Sequence, residues 1–196
     1  MARSQSSLIL TFFVLLTLPA LAGASDPLIP KEKGAARTVG LFNFLCLKQL
    51  PDLEGIERAA GFGEFDQLTG EDLKPYTPQM PPEKLMAWRY HDHGEEYVLV
   101  AARSKPAEAF KKEMPEFANS TNVSCSLLVP SLQPDPLLGE LTRVMGRAPD
   151  KTWQDGATHA RAWHHQQSNA FSQVYYYTPE KAGGTAALGA SISLKN

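Results

Sequence analysis

The sequence LMAWRYHDHGEEYVLV, at residues 85–100, decides the fold. It predicts two β-strands joined by a tight turn at Asp92, His93 and Gly94. A short polar turn that contains Asp and Gly, between two apolar segments, is a strong signal for a β-hairpin. The other strands and helices can be assigned outward from this hairpin.

A weaker copy of the same pattern follows at residues 160–178, ARAWHHQQSNAFSQVYYYT. Both stretches contain Ala-Trp, a His shortly afterwards, a polar turn and an aromatic strand. Each is preceded by an apolar helical pattern and followed by one more strand. The sequence therefore predicts two loosely similar helix–strand–strand–strand halves, with Trp88 and Trp163 at corresponding places in one sheet.

Helical spacing of apolar residues after Thr38 and again after Asp135 predicts two principal helices. Further strands are expected at 123–129 and 186–194, in addition to the two hairpins. The predicted fold is therefore α+β, a mostly antiparallel six-stranded sheet with two principal helices on one face. The Pro-rich stretch 62–82 carries aromatic residues, which favour a loop that packs onto the domain over a free linker.

The first residues have the features of a signal peptide. Arg3 provides a positive start, residues 8–18 are apolar, and Ala22-Gly23-Ala24 resembles a cleavage site. Because the apolar run is short for a membrane span, cleavage is favoured over an N-terminal anchor.

We therefore expect a signal peptide at 1–24, a flexible leader at 25–37 and a single α+β domain at 38–196. The protein is expected to be exported, either periplasmic or secreted, with no integral membrane span after signal removal.

The composition limits the class of partner. The chain has 196 residues, of which 43% are hydrophobic and 20% charged, and its formal net charge is −2. This balance suits one globular domain with a sizeable core. A slightly acidic chain argues against nucleic acid as the partner, because nucleic acids select basic surfaces. An unidentified protein or small ligand is the partner that we expect.

The two cysteines, Cys46 and Cys125, predict one structural disulfide. Export places the chain in an oxidising compartment, and no Cys-x-x-Cys spacing indicates a redox or metal motif. Cys46 lies on the apolar side of the first helix and Cys125 on the apolar face of a strand, so a bond would join helix to sheet. Two buried free thiols are the alternative.

Three histidines raise the possibility of a metal site. His91 and His93 are two residues apart and would point to one face of a strand, a spacing that can chelate zinc or copper. If the halves pair symmetrically, His165 corresponds to His91 and could complete a three-His site. The alternative is that these side chains line the solvent-exposed face of the sheet, and no cofactor is then required.

Aromatic residues on the strands could form a ligand-stacking surface. The candidates are Trp88, Trp163, Tyr175 and Tyr177. Strands also use such residues for core packing and cross-strand pairs, and that interpretation is favoured here.

One resemblance follows from these features. Phe44-Leu45-Cys46 in an early helix, a Pro-rich loop, a Trp-bearing strand and the later Ser124-Cys125-Ser126 strand are similar to small exported proteobacterial single-domain proteins of unknown function. The resemblance implies an exported α+β domain with a disulfide, and it carries over no catalytic residue. The expected function is a non-catalytic binding or envelope-associated module. The alternative is a small exported enzyme, metal-assisted through His91, His93 and His165.

Overall fold

The computed structural model describes residues 31, 33–78, 81–129, 134–180 and 184–196. The predicted signal peptide at 1–24 and most of the predicted leader at 25–37 lie outside these residues. The last part of that leader is helical, because the first helix begins at Ala35. Arg37 is also tied to the domain by a hydrogen bond that its Nε donates to Asp92.

Eight strands form one antiparallel sheet in the order β1-β2-β3-β4-β8-β7-β6-β5. Their bounds are β1 Asp66–Leu68, β2 Lys84–Asp92, β3 Glu95–Ser104, β4 Thr121–Val129, β5 Lys151–Asp155, β6 Thr158–Gln166, β7 Ala170–Pro179 and β8 Ala186–Leu194. The α+β class is confirmed, but the prediction of six strands is wrong. The predicted hairpin is present, with His93 and Gly94 in the turn at positive φ.

The two strands that sequence patterns missed lie at the two edges of the sheet. β1 has only three residues, of which only Leu68 is buried. β5 carries Trp153 among the exposed residues Lys151, Thr152 and Gln154. Because edge strands pair on one side only and face solvent, they need few apolar residues and carry a weak sequence signal.

Three helices cover one face of the sheet, which we call the inner face, in place of the predicted two. They are α1 Ala35–Phe42, α2 Leu53–Phe62 and α4 Pro134–Met145. A π-helical turn at Asn43–Leu47 connects α1 to the chain leading into α2. These helices and the inner face form the main core, which includes Leu45, Ile56, Leu137, Trp88 and Trp163. A short helix, α3 (Glu108–Glu113), lies on the opposite face, called the outer face.

The sheet consists of two corresponding halves that meet where β4 pairs with β8. The first half has α1 and α2 before its four strands, and the second half has α4 before its four, so the predicted three strands per half are one too few. Trp88 lies opposite Leu99, and Trp163 lies opposite Val174. Both tryptophans are buried on the inner face, at 3% and 1% exposure. Corresponding ladders run from each tryptophan to the centre, namely Trp88–Leu99–Leu127 and Trp163–Val174–Ala190.

Cys46 and Cys125 form a disulfide, as the sequence predicted. Cys46 lies in the π-helical turn and Cys125 in the central strand β4, and both are fully buried. The bond therefore joins the first helical segment to the middle of the sheet.

Candidate functional site

The chain itself covers part of the outer face of the first half. A 3₁₀-helical segment, Gly70–Tyr76, lies within the connection from β1 to β2. Its Leu73 and Tyr76 pack against Ala87 and Val98 of the sheet and form a small second core. Within the Pro-rich stretch 62–82, Phe65 and Tyr76 thus pack onto the domain as expected, whereas Phe62 is exposed.

The outer face of the second half has no such segment among the described residues, because β5 is joined to β6 by the short turn at Gly156 and Ala157. Three partly exposed aromatic rings lie on this face. Trp153 meets Tyr177 edge-on at 6.2 Å, and Tyr177 contacts Tyr175 at 5.2 Å between ring centroids. We call these three rings the aromatic row.

Tyr175 lies across the centre of the sheet and is fixed there by its neighbours. A Cβ added at Gly189 would lie 1.9 Å from Cε2 of Tyr175, so the ring rests directly on the backbone of β8. Its hydroxyl is 3.3 Å from the hydroxyl of Ser126. Burial raises the pKa of Tyr175, which keeps the phenol neutral.

An open groove of about 830 Å³ runs beside the aromatic row, between α3 and strands β5, β6 and β7. Phe110, Glu113 and Met114 form one wall. The sheet provides the rest of the lining through Asp150, Lys151, Thr152, Trp153, His164, Gln166, Phe171 and Gln173. This volume falls within the range of small-molecule sites.

The ring of Phe171 is held at one end of the groove by aromatic contacts. Phe110 and His164 each lie 5.6 Å from it, and Phe117 lies at 6.2 Å, all in tilted arrangements. Tilted ring pairs at this separation are favourable beyond the area that they bury. Phe171 and Trp153 are therefore two ordered, partly exposed rings in one groove.

Uncharged polar groups lie between these rings. Nε2 of Gln173 is 3.1 Å from Nε2 of His164, and because an amide N–H₂ can only donate, the imidazole nitrogen accepts. Burial lowers the pKa of His164, since desolvation disfavours the imidazolium. The neutral imidazole of His164 is therefore favoured, and it offers a hydrogen-bonding ring to the groove.

The charges at the groove largely cancel. Asp150 accepts a hydrogen bond from Arg147 and another, at 2.7 Å, from the backbone N–H of His164. These hydrogen bonds lower the pKa of Asp150. The remaining charged lining residues, Lys151 and Glu113, are exposed and opposite in sign.

The structure does not bring the three candidate metal-ligating histidines together. His91 lies on the outer face of β2, near Glu96, and His93 lies in the hairpin turn. His165 lies on β6, and four strands separate β2 from β6. His165 also shares the face of Trp163, the inner one. Within the part of the chain that the structure describes, no group of three His, Cys, Asp or Glu residues could hold a metal ion.

The four aromatic residues that were candidates for a ligand surface lie on opposite faces. Trp88 and Trp163 belong to the inner core, and the indole N–H of Trp163 donates to the backbone carbonyl of Arg147 at 2.9 Å. Tyr175 and Tyr177 lie partly exposed on the outer face.

Sequence reasoning missed Trp153, Phe171 and His164 as groove residues. His164 and Phe171 share one signal, the alternation along β6 and β7, where His164, Phe171, Gln173 and Tyr175 all face outward. That pattern identifies a face but does not show whether another segment covers it, and Trp153 belongs to a strand that was not predicted.

No protein-family model matches the chain, and comparisons with curated proteins and with solved structures found no match either. Among the described residues, no helix has the length and apolar character needed to cross a membrane.

Proposed function

We propose that this chain is an exported, non-catalytic binding module whose ligand occupies the groove between α3 and strands β5–β7. One observation carries the proposal. The first half packs Leu73 and Tyr76 onto Ala87 and Val98 of its outer face, whereas the corresponding part of the second half presents Trp153 and Phe171 at an open groove. Partly exposed apolar surface beside polar groups is typical of a binding site.

The rings in the groove are suited to binding because they are already ordered. Tyr177 holds Trp153, and Phe110, Phe117 and His164 surround Phe171. A side chain that is fixed before binding loses little conformational entropy when the ligand arrives.

Two features support export. The Cys46–Cys125 disulfide suits an oxidising compartment, and residues 1–24 have the pattern of a signal peptide. If the signal peptide is cleaved on export, the N-terminal sequence of the exported protein should begin near Ser25. A protein that retains Met1 and sediments with membranes would contradict this part of the proposal.

Binding is tested by screening the purified protein against a library of small soluble fragments by two-dimensional NMR. We expect the shifts caused by hits to cluster at the indole N–H of Trp153 and the amide groups of Gln166 and Gln173. The variant Trp153→Ala should lose most hits. Phe62→Ala is the matched control, because Phe62 is an aromatic residue, 85% exposed, on α2 and away from the groove.

Hits that cluster elsewhere, or that persist in Trp153→Ala, would overturn the assignment of the groove. Absence of hits at any surface would overturn the binding function itself.

A further inference from the structure

Resting on the proposed function, we infer that the ligand of the groove is a short, neutral oligosaccharide, with one sugar ring stacked on Trp153 and another on Phe171. The inference depends on the separation of these rings, the polar groups between them and the balance of charge.

The groove is elongated along the strands. Trp153 pairs with Ala160 and Phe171 pairs with Gln166, so six residues of β6 separate the two positions. At about 3.4 Å per residue, this distance is about 20 Å along the sheet. A single small ring cannot reach both aromatic groups, whereas a linear chain of several rings can.

The residues between the two rings leave room and offer hydrogen bonds. Ala162 faces outward on β6 between the rows of Trp153 and His164, and its small side chain is fully buried in the floor. His164, Gln166 and Gln173 supply neutral donors and acceptors. A sugar ring combines an apolar C–H face, which packs on an aromatic ring, with hydroxyl groups around its edge. This combination matches the groove, which has an aromatic ring at each end and polar side chains between them.

Charge selects a neutral ligand. Lys151 and Glu113 are exposed lining residues of opposite charge, Arg147 neutralises Asp150, and burial favours the neutral form of His164. The groove therefore offers no excess of either sign to an ionic ligand. An extended peptide is the main competing ligand. It could pair with the free edge of β5, but this edge has only five residues and carries the exposed Lys151, features that discourage an added strand.

The test uses tryptophan fluorescence. The chain has three tryptophans, and only Trp153 is partly exposed, so a ligand in the groove changes the signal of Trp153. The protein is titrated with cellotetraose, maltotetraose and chitotetraose, with glucose and N-acetylglucosamine, and with an uncharged Ser- and Tyr-containing hexapeptide. Calorimetry repeats each titration. We expect at least one tetrasaccharide to saturate and to bind about tenfold or more tightly than its monosaccharide, because it contacts both rings.

The variants Trp153→Ala and Phe171→Leu should each weaken binding of that tetrasaccharide by about tenfold. Leucine keeps apolar packing against Phe110 and Phe117, so loss of fold does not obscure the result. Phe62→Ala should bind as the unmodified protein does.

The possible failures are distinguishable. If fragments bind in the groove but none of the tetrasaccharides does, the oligosaccharide inference is overturned and the binding function stands. Binding of the hexapeptide alone would assign a peptide ligand instead. Sugar binding that is insensitive to both Trp153→Ala and Phe171→Leu would also overturn the inference, and no binding by fragments or sugars would overturn both proposals.

Discussion

The two halves of the sheet share a strand order and a buried tryptophan, but their outer faces differ. In the first half, residues 69–83 separate β1 from β2 and include the segment Gly70–Tyr76 that covers the sheet. In the second half, the corresponding connection is the turn at residues 156–157. The length of one connection therefore decides whether this part of the outer face is core or accessible surface.

The connection from β3 to β4 adds to this difference. It carries α3, whose Phe110 contacts Phe171 of β7 in the other half. The first half thus covers part of its own outer face and also forms one wall of the groove on the second. Two similar frameworks acquire different roles because their connections differ, which is typical of functional sites on loops.

The largest expected effect is the difference in the free energy of unfolding between variants of the two inner tryptophans and a variant of the outer one. Trp88→Ala and Trp163→Ala should each lower the free energy of unfolding by about 3–5 kcal/mol, because each removes a buried ring from the core. Trp153→Ala should cost about 1 kcal/mol or less, since its ring is partly exposed. Urea denaturation of the three variants measures the difference. Losses below about 1 kcal/mol in both inner variants would contradict the placement of these tryptophans in the core.

The disulfide tests a second difference, because it belongs to one half only. The residue in β8 that corresponds to Cys125 is Leu188. The double variant Cys46→Ala/Cys125→Ala should lose about 2–5 kcal/mol, as is usual when a native disulfide is removed. Thermal and urea unfolding should show the loss, and the reduced unmodified protein is the control. Two titratable thiols per chain in the denatured, unreduced protein would contradict the bond.

The centre of the sheet, where the halves meet, gives the third test. Gly189→Ala should lose about 1–3 kcal/mol, because the new methyl group would overlap the ring of Tyr175. The double variant Gly189→Ala/Tyr175→Ala should lose less stability than the sum of the losses of the two single variants. Gly139→Ala is the control. Gly139 lies exposed on α4, has space for a Cβ and should gain up to about 1 kcal/mol. Additive losses would show that Tyr175 does not rest on Gly189.

The sequence predicted the parts of the fold that bury apolar residues at a regular period. The two hairpins, the correspondence of Trp88 with Trp163 and the contact between Cys46 and Cys125 all belong to this set. Each depends on local spacing or on burial, both of which leave a pattern in one chain.

The groove could not be predicted in the same way. Trp153 lies on a short edge strand, and Phe110 reaches Phe171 from 61 positions earlier in the chain through a tertiary contact. Alternation places Tyr175 and Phe171 on one face, but it does not show that Leu73 covers the other half. Coverage depends on how connections fold over the sheet, and a polar, Pro-rich connection carries little periodic signal.

The smallest expected effect concerns His164, whose counterpart on the outer face of the first half is Arg89. Its pKa is lowered in the folded protein, so the unfolded chain binds the proton more readily. The contribution of His164 to the free energy of unfolding should therefore be fully present above the ordinary pKa of histidine. It should be lost as the pH decreases below that value. His164→Gln should make this dependence shallower between about pH 7 and pH 5.5, a range above the titration of most carboxylates. Urea denaturation across this range measures the slope, and NMR titration of the imidazole measures the pKa directly. A His164 that titrates at or above its ordinary pKa would contradict both the hydrogen bond from Gln173 and the neutral groove.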